Sequence, residues 1–321
     1  MGSLKVPEVV PSPTEDSERL RKAFQGFGTD EKAIIMVLGH RNWRQIKEIR
    51  ETYEKLYKES LIDRLHSELS GDFRNGVIMW SKDPAERHAK LAYDALKVKW
   101  KGIKQLQILV EISCASTPNH LMHVRQAYCS LYDCSLEEHI VASVSPPLWK
   151  ILVGLVSSYR YDKVIANLEV AKAEASKLHE AITKKKLDDD HIVWILSTRN
   201  VFQLRETFAC YKQLYGNTLE QDIKNCGKGD LESLLNVVVC CIECPEKHFA
   251  KVVRDSVLGL GTDEDSLNRA IVTRAEIDLL KVRFEYAKTY NSSLDEDVID
   301  DTSGDYRDFL MTLLGKGPNG V

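Results

Sequence analysis

The chain has 321 residues, and its 44 basic and 48 acidic side chains leave a formal net charge of −4 at neutral pH. This near balance argues against duplex nucleic acid as a partner, because no basic excess is present to neutralise phosphates. It also gives the chain no attraction by net charge to an anionic membrane. The length is typical of about two domains or of an array of repeats.

The chain begins with a short tail, which is predicted to comprise residues 1–14. The tail contains Pro7, Pro11 and Pro13 and lacks the apolar core of a signal peptide. No apolar run in the sequence approaches the ~20 residues that span a bilayer. Eight cysteines in a long helical chain fit a reducing compartment better than a disulfide scaffold. These features predict a cytoplasmic protein.

Four modules follow the tail, and each carries the same aromatic pattern. The pattern Tyr-x3-Tyr-x3-Leu occurs four times, with successive copies 75, 83 and 75 residues apart. A spacing of four residues places the three side chains on one face of a helix, whereas the alternation typical of strands is rare. The sequence therefore predicts an all-α fold with four modules at residues 15–86, 87–158, 165–246 and 247–318. Residues 157–163 are expected to join the two halves.

The first module contains a glycine loop, loop 1, with the sequence Gly-Phe-Gly-Thr-Asp-Glu at residues 26–31. It follows a helix that contains Leu20 and Phe24, and Thr29 is placed to cap the next helix. Carbonyls at the end of a helix lack partners there, and glycines allow several of them to point toward solvent. Glu68 stands 39 residues after Thr29. Loop carbonyls and a carboxylate are hard oxygen ligands, which Ca2+ prefers.

The second and third modules lack this loop. In the second, Lys99, Trp100 and Lys101 form a basic, aromatic patch that either attracts anionic lipid or is a solvated helix end. In the third, residues 184–190 contain three lysines and then three aspartates. The aspartates suggest a metal cluster, but capping of the next helix explains them more simply. Neither segment is predicted to hold Ca2+ in the manner of loop 1.

The fourth module repeats the first. Loop 4, Gly-Leu-Gly-Thr-Asp-Glu at residues 259–264, is followed 39 residues after Thr262 by Asp301. One such loop is commonly a simple joint between helices, but two copies with an acid at the same distance favour a calcium site. Phe27 and Leu260 stand between the paired glycines. They either enter the headgroup region of a membrane or fold back onto their own helices.

These loops, their acids and the short proline-bearing tail resemble the annexin family, and Gly39-His-Arg-Asn42 is similar to its plant branch. The resemblance extends from about Asp16 to about Gly315. It implies four repeats of five helices packed as a curved disc, and calcium-dependent binding to acidic phospholipid membranes. It also implies a cytoplasmic protein that is peripheral on membranes when calcium rises, and leaves self-association on membranes open.

The resemblance further implies which residues hold Ca2+. The ligands are three loop carbonyls and one carboxylate in each of the two outer modules. They are Phe24, Gly26, Gly28 and Glu68 in the first module and Val257, Gly259, Gly261 and Asp301 in the fourth. The inner modules depart from the family pattern, as they usually do in plant annexins.

Other activities known or suggested in the family are alternatives. A haem peroxidase role has been proposed for plant annexins that carry the histidine found here as His40, and nucleotide hydrolysis is claimed for some relatives. The chain has neither a Cys-x-x-Cys-His haem motif nor a phosphate-binding P-loop, so we predict that it is not an enzyme. Cys114 and Cys241 would take part in a suggested sulfur cluster, or they are simply buried thiols.

Two further properties of relatives are weakly supported by this sequence. Some annexins conduct ions, and the chain repeats an arginine at three corresponding positions, Arg41, Arg199 and Arg274. The Ile-Arg-Ile signature linked to actin binding in some plant relatives is replaced by Val193-Trp194-Ile195. The sequence therefore keeps calcium-gated conductance as an alternative and argues against actin binding.

Overall fold

The computed structural model describes residues 1–26, 28–99, 102–259 and 261–316. Within these ranges every regular element is an α-helix, and there are twenty of them, which confirms the predicted all-α fold. None of the helices in the described ranges is both long and apolar enough to pass through a bilayer.

The helices follow one another in four groups of five. Module 1 contains α1 (Pro13–Ala23), α2 (Glu31–Leu38), α3 (Trp43–Tyr57), α4 (Leu61–Glu68) and α5 (Gly71–Ser81). Module 2 contains α6 (Pro84–Lys97), α7 (Ile103–Cys114), α8 (Pro118–Tyr132), α9 (Leu136–Ser143) and α10 (Leu148–Ser157). Module 3 contains α11 (Leu168–Thr183), α12 (Asp190–Thr198), α13 (Val201–Tyr215), α14 (Leu219–Cys226) and α15 (Asp230–Glu243). Module 4 contains α16 (Pro245–Val257), α17 (Glu264–Arg274), α18 (Leu279–Tyr290), α19 (Leu294–Asp301) and α20 (Gly304–Leu313).

Each module buries its aromatic stripe on its third helix. The first tyrosines of the four stripes are fully buried, and they are Tyr53, Tyr128, Tyr211 and Tyr286. In each stripe the ring of the second tyrosine lies 4.8–5.1 Å from the ring of the first. Burial of one large apolar side chain contributes ~1.5–3 kcal/mol, so the stripe anchors the third helix of every module to its neighbours.

The first compact unit, unit 1, contains modules 1 and 4, with described residues 1–87 and 249–316. Helix α5 packs against α17 and α20, and the ring of Phe73 lies 6.0 Å from the ring of Phe309. Trp80 is fully buried and donates its indole N–H to the Leu38 carbonyl at 2.8 Å. Loop 1 and loop 4 therefore belong to the same unit.

The tail is part of unit 1. The Ser3 hydroxyl donates to the Leu313 carbonyl at 2.5 Å, and the Ser3 N–H donates to the Ala275 carbonyl at 2.8 Å. Gly2 lies against the same turn, where an added Cβ would stand 2.6 Å from the Ala275 oxygen. The start of the chain is thus packed onto module 4.

The second compact unit, unit 2, is His88–His248 and contains modules 2 and 3. Helix α7 packs against α15, and α10 packs against α12. The buried Glu111 carboxylate lies 2.8 Å from the His248 ring nitrogen. The guanidinium of Arg160, which is also buried, donates to the Leu196 carbonyl at 2.5 Å.

This division corrects the prediction that residues 157–163 join two halves. The compact units unite the first module with the fourth and the second with the third, and their limits fall inside α6 and α16. Contact between apolar helix faces, rather than neighbourhood along the chain, decides which modules pack together. The limits of the individual modules stay a prediction.

Candidate calcium-binding loops

Loop 1 and loop 4 have the same backbone conformation at their glycines. The φ angle is +122° at Gly26 and +101° at Gly28, and it is +121° at Gly259 and +88° at Gly261. Side-chain-bearing residues rarely adopt such angles, so glycine is needed at these four positions. The two segments therefore turn in the same way, as expected for copies of one loop.

A backbone hydrogen bond closes each loop onto the helix before it. The Asp30 N–H donates to the Ala23 carbonyl at 2.9 Å, and the Asp263 N–H donates to the Ser256 carbonyl at 2.8 Å. The two aspartates also cap the following helices, since their side chains accept the N–H groups of Ala33 and Ser266. The prediction that Thr29 is the cap is wrong by one residue, because the hydroxyl of Thr29 has another partner.

That partner is the distant acid. The Thr29 hydroxyl donates to the Glu68 carboxylate at 2.9 Å, and the Thr262 hydroxyl donates to the Asp301 carboxylate at 2.6 Å. The Thr262 hydroxyl also lies 2.8 Å from the Asp301 carbonyl oxygen. Each acid is thus brought to its own loop, and we refer to loop 1 with Glu68 as site 1 and to loop 4 with Asp301 as site 4.

The residues that follow each acid, 69–71 after Glu68 and 302–304 after Asp301, form the junction between two helices. Glu68 ends α4 and Asp301 ends α19, and the next helices begin at Gly71 and Gly304. These two glycines have φ angles of +58° and +59°. The same three residues, Ser-Gly-Asp, stand at this junction in both modules, so the chain turns in the same way after each acid.

Site 1 also holds a basic side chain that the sequence analysis did not consider. The Nη2 atom of Arg64 donates to the Phe24 carbonyl at 3.2 Å and lies 2.9 Å from a Glu68 carboxylate oxygen. The guanidinium carbon is 5.8 Å from the centre of the Phe24 ring. One cationic nitrogen therefore contacts two of the predicted ligands, which shows that the carbonyl and the carboxylate converge on one point. Arg64 precedes Glu68 by four residues on α4, so helical spacing could have revealed the pair.

Site 4 has an acid at the position of Arg64. Asp297 precedes Asp301 by four residues on α19, and it accepts hydrogen bonds from Arg254, Tyr286 and Ser292. The pKa of Asp297 is lowered. Burial alone would raise it, but the hydrogen bonds and the charge of Arg254 together have the larger effect. The Val257 carbonyl of site 4 corresponds to the Phe24 carbonyl of site 1.

The fit of Ca2+ to these sites follows from their donors. Each site combines backbone carbonyls of a glycine loop with one carboxylate, and these are oxygen ligands of the kind Ca2+ takes. The contacts of Arg64 Nη2 show that a cation is accepted at site 1. In the described ranges, no group of three or more His, Cys, Asp or Glu side chains suits a metal ion.

In the inner modules, the described residues between the first helix and the second include no glycine with positive φ. Gly102 has an ordinary φ of −90° and stands before α7. In module 3, Asp189 caps α12 by accepting the His191 N–H at 2.8 Å, which lowers the pKa of Asp189. The Lys150 ammonium donates to the Asp188 carbonyl at 3.2 Å. The aspartates of module 3 thus serve as a helix cap and as partners for a lysine.

Only one of the five predicted membrane contacts lies in the described part of the chain. This residue is Lys99, which is exposed. The other four lie outside the described residues, and they are Phe27, Leu260, Trp100 and Lys101.

His40 and the cysteines differ in how far they are buried. His40 is half-buried at the end of α2, and burial lowers the pKa of its ring. All eight cysteines, each of which lies in the described ranges, are free thiols. Burial raises the pKa of the Cys114 thiol, which makes it less reactive.

The three repeated arginines form ion pairs. Arg41 pairs with Asp16 at 2.7 Å, and both side chains are buried. The other two pairs, each at 2.5 Å, are Arg199 with Glu174 and Arg274 with Asp278. These arginines are thus bound to carboxylates of their own modules.

Comparison with known proteins gives matches along the whole chain. The family model described as Annexin matches residues 15–80, 173–238 and 248–313. Annexin D3 of Arabidopsis thaliana is 57% identical over 318 residues, which cover 98% of this chain and 99% of that protein. Annexin-like protein RJ4 of Fragaria ananassa is 45% identical over 302 residues, covering 94% of this chain and 95% of that protein.

Solved structures agree. The structure of annexin III superposes with a TM-score of 0.92 at 31% identity and covers 98% of this chain and 97% of its own. The crystal structure of calcium-bound annexin (Sm)1 has a TM-score of 0.86 at 31% identity, and covers 99% of this chain and 93% of its own.

Proposed function

Because the chain belongs to the annexin family, in its plant-type branch, we propose that it binds acidic phospholipid membranes through Ca2+ held at sites 1 and 4. Calcium-dependent phospholipid binding is the general activity of the family, whose members are mainly not enzymes. What this proposal adds is the location of the sites in this chain and the residues that form them.

The observation that carries the proposal is the pairing of each loop with a remote acid. Two loops with the same glycine angles each receive one carboxylate through a threonine hydroxyl. Capping alone requires neither the positive φ angles nor the acid, since Asp30 and Asp263 already cap the helices. Both features are explained if the loop and the acid act together on one cation.

We assign the ligands of each site as three carbonyls and one carboxylate. They are Phe24, Gly26, Gly28 and Glu68 at site 1 and Val257, Gly259, Gly261 and Asp301 at site 4. Three carbonyls and a bidentate carboxylate give about five oxygens of the 6–8 that Ca2+ takes, which leaves room for water or a lipid phosphate. The incomplete set implies weak affinity without lipid, on the order of 10⁻⁵–10⁻³ M.

Bound Ca2+ would supply the positive charge that this chain lacks toward an anionic surface. The net charge of −4 gives no attraction to such a surface, so binding would follow calcium rather than ionic strength alone. We place the protein in the cytoplasm and on membranes when calcium rises. Phe27, Leu260 and the patch of Lys99, Trp100 and Lys101 are proposed as further membrane contacts.

The decisive experiment removes both carboxylates. The double variant Glu68→Gln with Asp301→Asn is expected to lose calcium-dependent sedimentation with phosphatidylserine vesicles, because each site loses its charged ligand. Vesicles of phosphatidylcholine serve as the lipid control. Unchanged sedimentation of this variant at every calcium concentration would refute the assignment.

A matched control is available on the same two helices. Asp63 and Glu296 are exposed acids in the first turns of α4 and α19, five residues before Glu68 and Asp301. The variant Asp63→Asn with Glu296→Gln removes the same negative charge from the same helices. It is expected to sediment as the unmodified protein does, which separates loss of a ligand from loss of charge.

A further inference from the structure

We propose that Arg64 is an internal cation that competes with Ca2+ for site 1, so that site 4 binds Ca2+ more tightly than site 1. This inference rests on the proposed assignment of the two calcium sites. It assigns a role to one side chain of this sequence and predicts an order in which the two sites fill.

The position of the guanidinium carries the inference. Its Nη2 atom is 3.2 Å from the Phe24 carbonyl oxygen and 2.9 Å from a Glu68 carboxylate oxygen. These are two of the four groups assigned to Ca2+ at site 1. A divalent cation held by both groups would stand beside the positive guanidinium, and the repulsion between them favours departure of the side chain. Binding at site 1 must therefore break these two contacts first.

Arg64 is held in a way that permits its departure. About a third of the side chain is exposed, and its Nε atom, although buried, has no hydrogen-bond partner. The remaining support is the ring of Phe24 and the helical pairing with Glu68. Partly exposed pairs of this kind are weak, so Arg64 would weaken calcium binding at site 1 without abolishing it.

In the described part of site 4, the position that corresponds to Arg64 does not hold a base. The equivalent residue, Asp297, is negative and is held by Arg254 and Tyr286. The Asp301 carboxylate accepts the Thr262 hydroxyl, as Glu68 accepts that of Thr29. The two sites therefore share their loop glycines and the contact between threonine and carboxylate. The acid is Glu at site 1 and Asp at site 4, and the residue four positions before it is basic at site 1 and acidic at site 4. That difference predicts tighter binding at site 4.

Calorimetric titration with CaCl2 in single-site variants tests the proposal. Asp301→Asn leaves site 1 intact, and Glu68→Gln leaves site 4 intact. Adding Arg64→Ala to Asp301→Asn is expected to tighten binding at site 1 about tenfold, because one charge-assisted contact and one ion pair no longer have to be broken. Adding Arg64→Ala to Glu68→Gln is expected to leave binding at site 4 unchanged.

Arg21 supplies the matched control. Its side chain is 33% exposed, close to the 30% of Arg64, and it pairs with Glu59 rather than with a proposed ligand. Arg21→Ala in the Asp301→Asn background removes the same charge from the same module and is expected to leave site 1 unchanged. A tightening equal to that of Arg64→Ala would show a general charge effect and overturn the proposal.

The other outcomes also decide. Weaker or unchanged binding at site 1 after Arg64→Ala would overturn the proposal, and weaker binding would make Arg64 a residue that positions Glu68. Arg64→Lys, which keeps the charge but loses the planar fork, is expected to give an intermediate affinity and replaces the alanine variant if that fails to fold. If Glu68→Gln and Asp301→Asn do not each remove one equivalent of bound calcium, the assignment of the two sites fails. That result differs from one in which the stoichiometry is as expected and Arg64→Ala leaves the affinity of site 1 unchanged.

Discussion

The modules of unit 1 and unit 2 have the same order of helices but differ in the segment between the first helix and the second. In unit 1 this segment contains paired glycines with positive φ and contacts a remote acid. In module 3 the N–H groups of Lys185 and Lys186 bond the carbonyls of Ile182 and Ala181 at the end of α11. Those two carbonyl oxygens therefore accept hydrogen bonds from the segment that follows α11.

The comparison teaches that the fold and the site depend on different residues. Every module keeps a fully buried tyrosine on its third helix, whether or not it has a glycine loop. The loop contributes little to the core, so its loss in unit 2 leaves the five helices in place. A module can thus lack the glycine loop and still serve as a structural part of the protein.

The largest effect is expected from the loop glycines. The double variant Gly28→Ala with Gly261→Ala should lower the free energy of unfolding by about 1–3 kcal/mol at each site, because alanine is strained at positive φ. The calcium needed for half-maximal sedimentation should rise about tenfold or more, since a loss of ~1.4 kcal/mol in binding already gives a factor of ten. Urea unfolding and vesicle sedimentation measure the two effects.

Gly102 in module 2 provides the control for this change. Its φ is −90°, and an added Cβ would stand 3.5 Å from the Gln105 side chain, which is an ordinary contact. Because Gly102 is the N-cap of α7, where glycine is preferred to alanine, Gly102→Ala is expected to lower the free energy of unfolding by about 0.5–1 kcal/mol and to leave the calcium needed for sedimentation unchanged. Equal damage from Gly102→Ala would show that the two kinds of segment do not differ as described.

A smaller effect is expected from the lysines of module 2. Lys97 and Lys99 are exposed beside the segment that lacks a glycine loop. If this segment touches an anionic membrane, Lys97→Gln with Lys99→Gln should weaken vesicle binding by about 1 kcal/mol per lysine. High salt should remove the difference. Lys47→Gln with Lys55→Gln, at two exposed positions on α3, is the control, and equal weakening there would contradict a specific contact in module 2.

The smallest effect concerns His40 of unit 1. Burial lowers the pKa of His40 below its ordinary value of 6.5, so the unfolded chain binds the proton more readily than the folded one. The contribution of His40 to stability is therefore full above pH 6.5 and declines as the pH falls toward the lowered pKa. When the pH is lowered from about 7.5 to about 5.5, the free energy of unfolding should therefore fall less in His40→Gln than in the unmodified protein.

Thermal unfolding at the two pH values checks this prediction. His123→Gln removes an exposed histidine from α8 of unit 2 and should retain the pH dependence of the unmodified protein. Identical pH dependence of all three proteins would show that His40 does not contribute. A peroxidase assay on His40→Gln tests the remaining enzymatic alternative at the same time.

The sequence was sufficient for the fold class and for the loops, because both depend on local pattern. The spacing of Tyr53 and Tyr57 specifies a buried helical face, and paired glycines mark a turn that only glycine adopts readily. The cap was misplaced from Asp30 to Thr29, because both residue types cap helices and only the tertiary contact with Glu68 separates them. Arg64 was overlooked, since its contact with the Phe24 carbonyl joins two helices that no local pattern relates.

The discontinuity of unit 1 bears on how the protein is made. Module 1 leaves the ribosome before module 4, yet its helix α5 packs against α17 and α20 of module 4. Unit 2, which is one uninterrupted stretch, can reach its final packing while module 4 is still being translated. The apolar face of α5 therefore stays open to chaperones and to other nascent chains until module 4 has been translated.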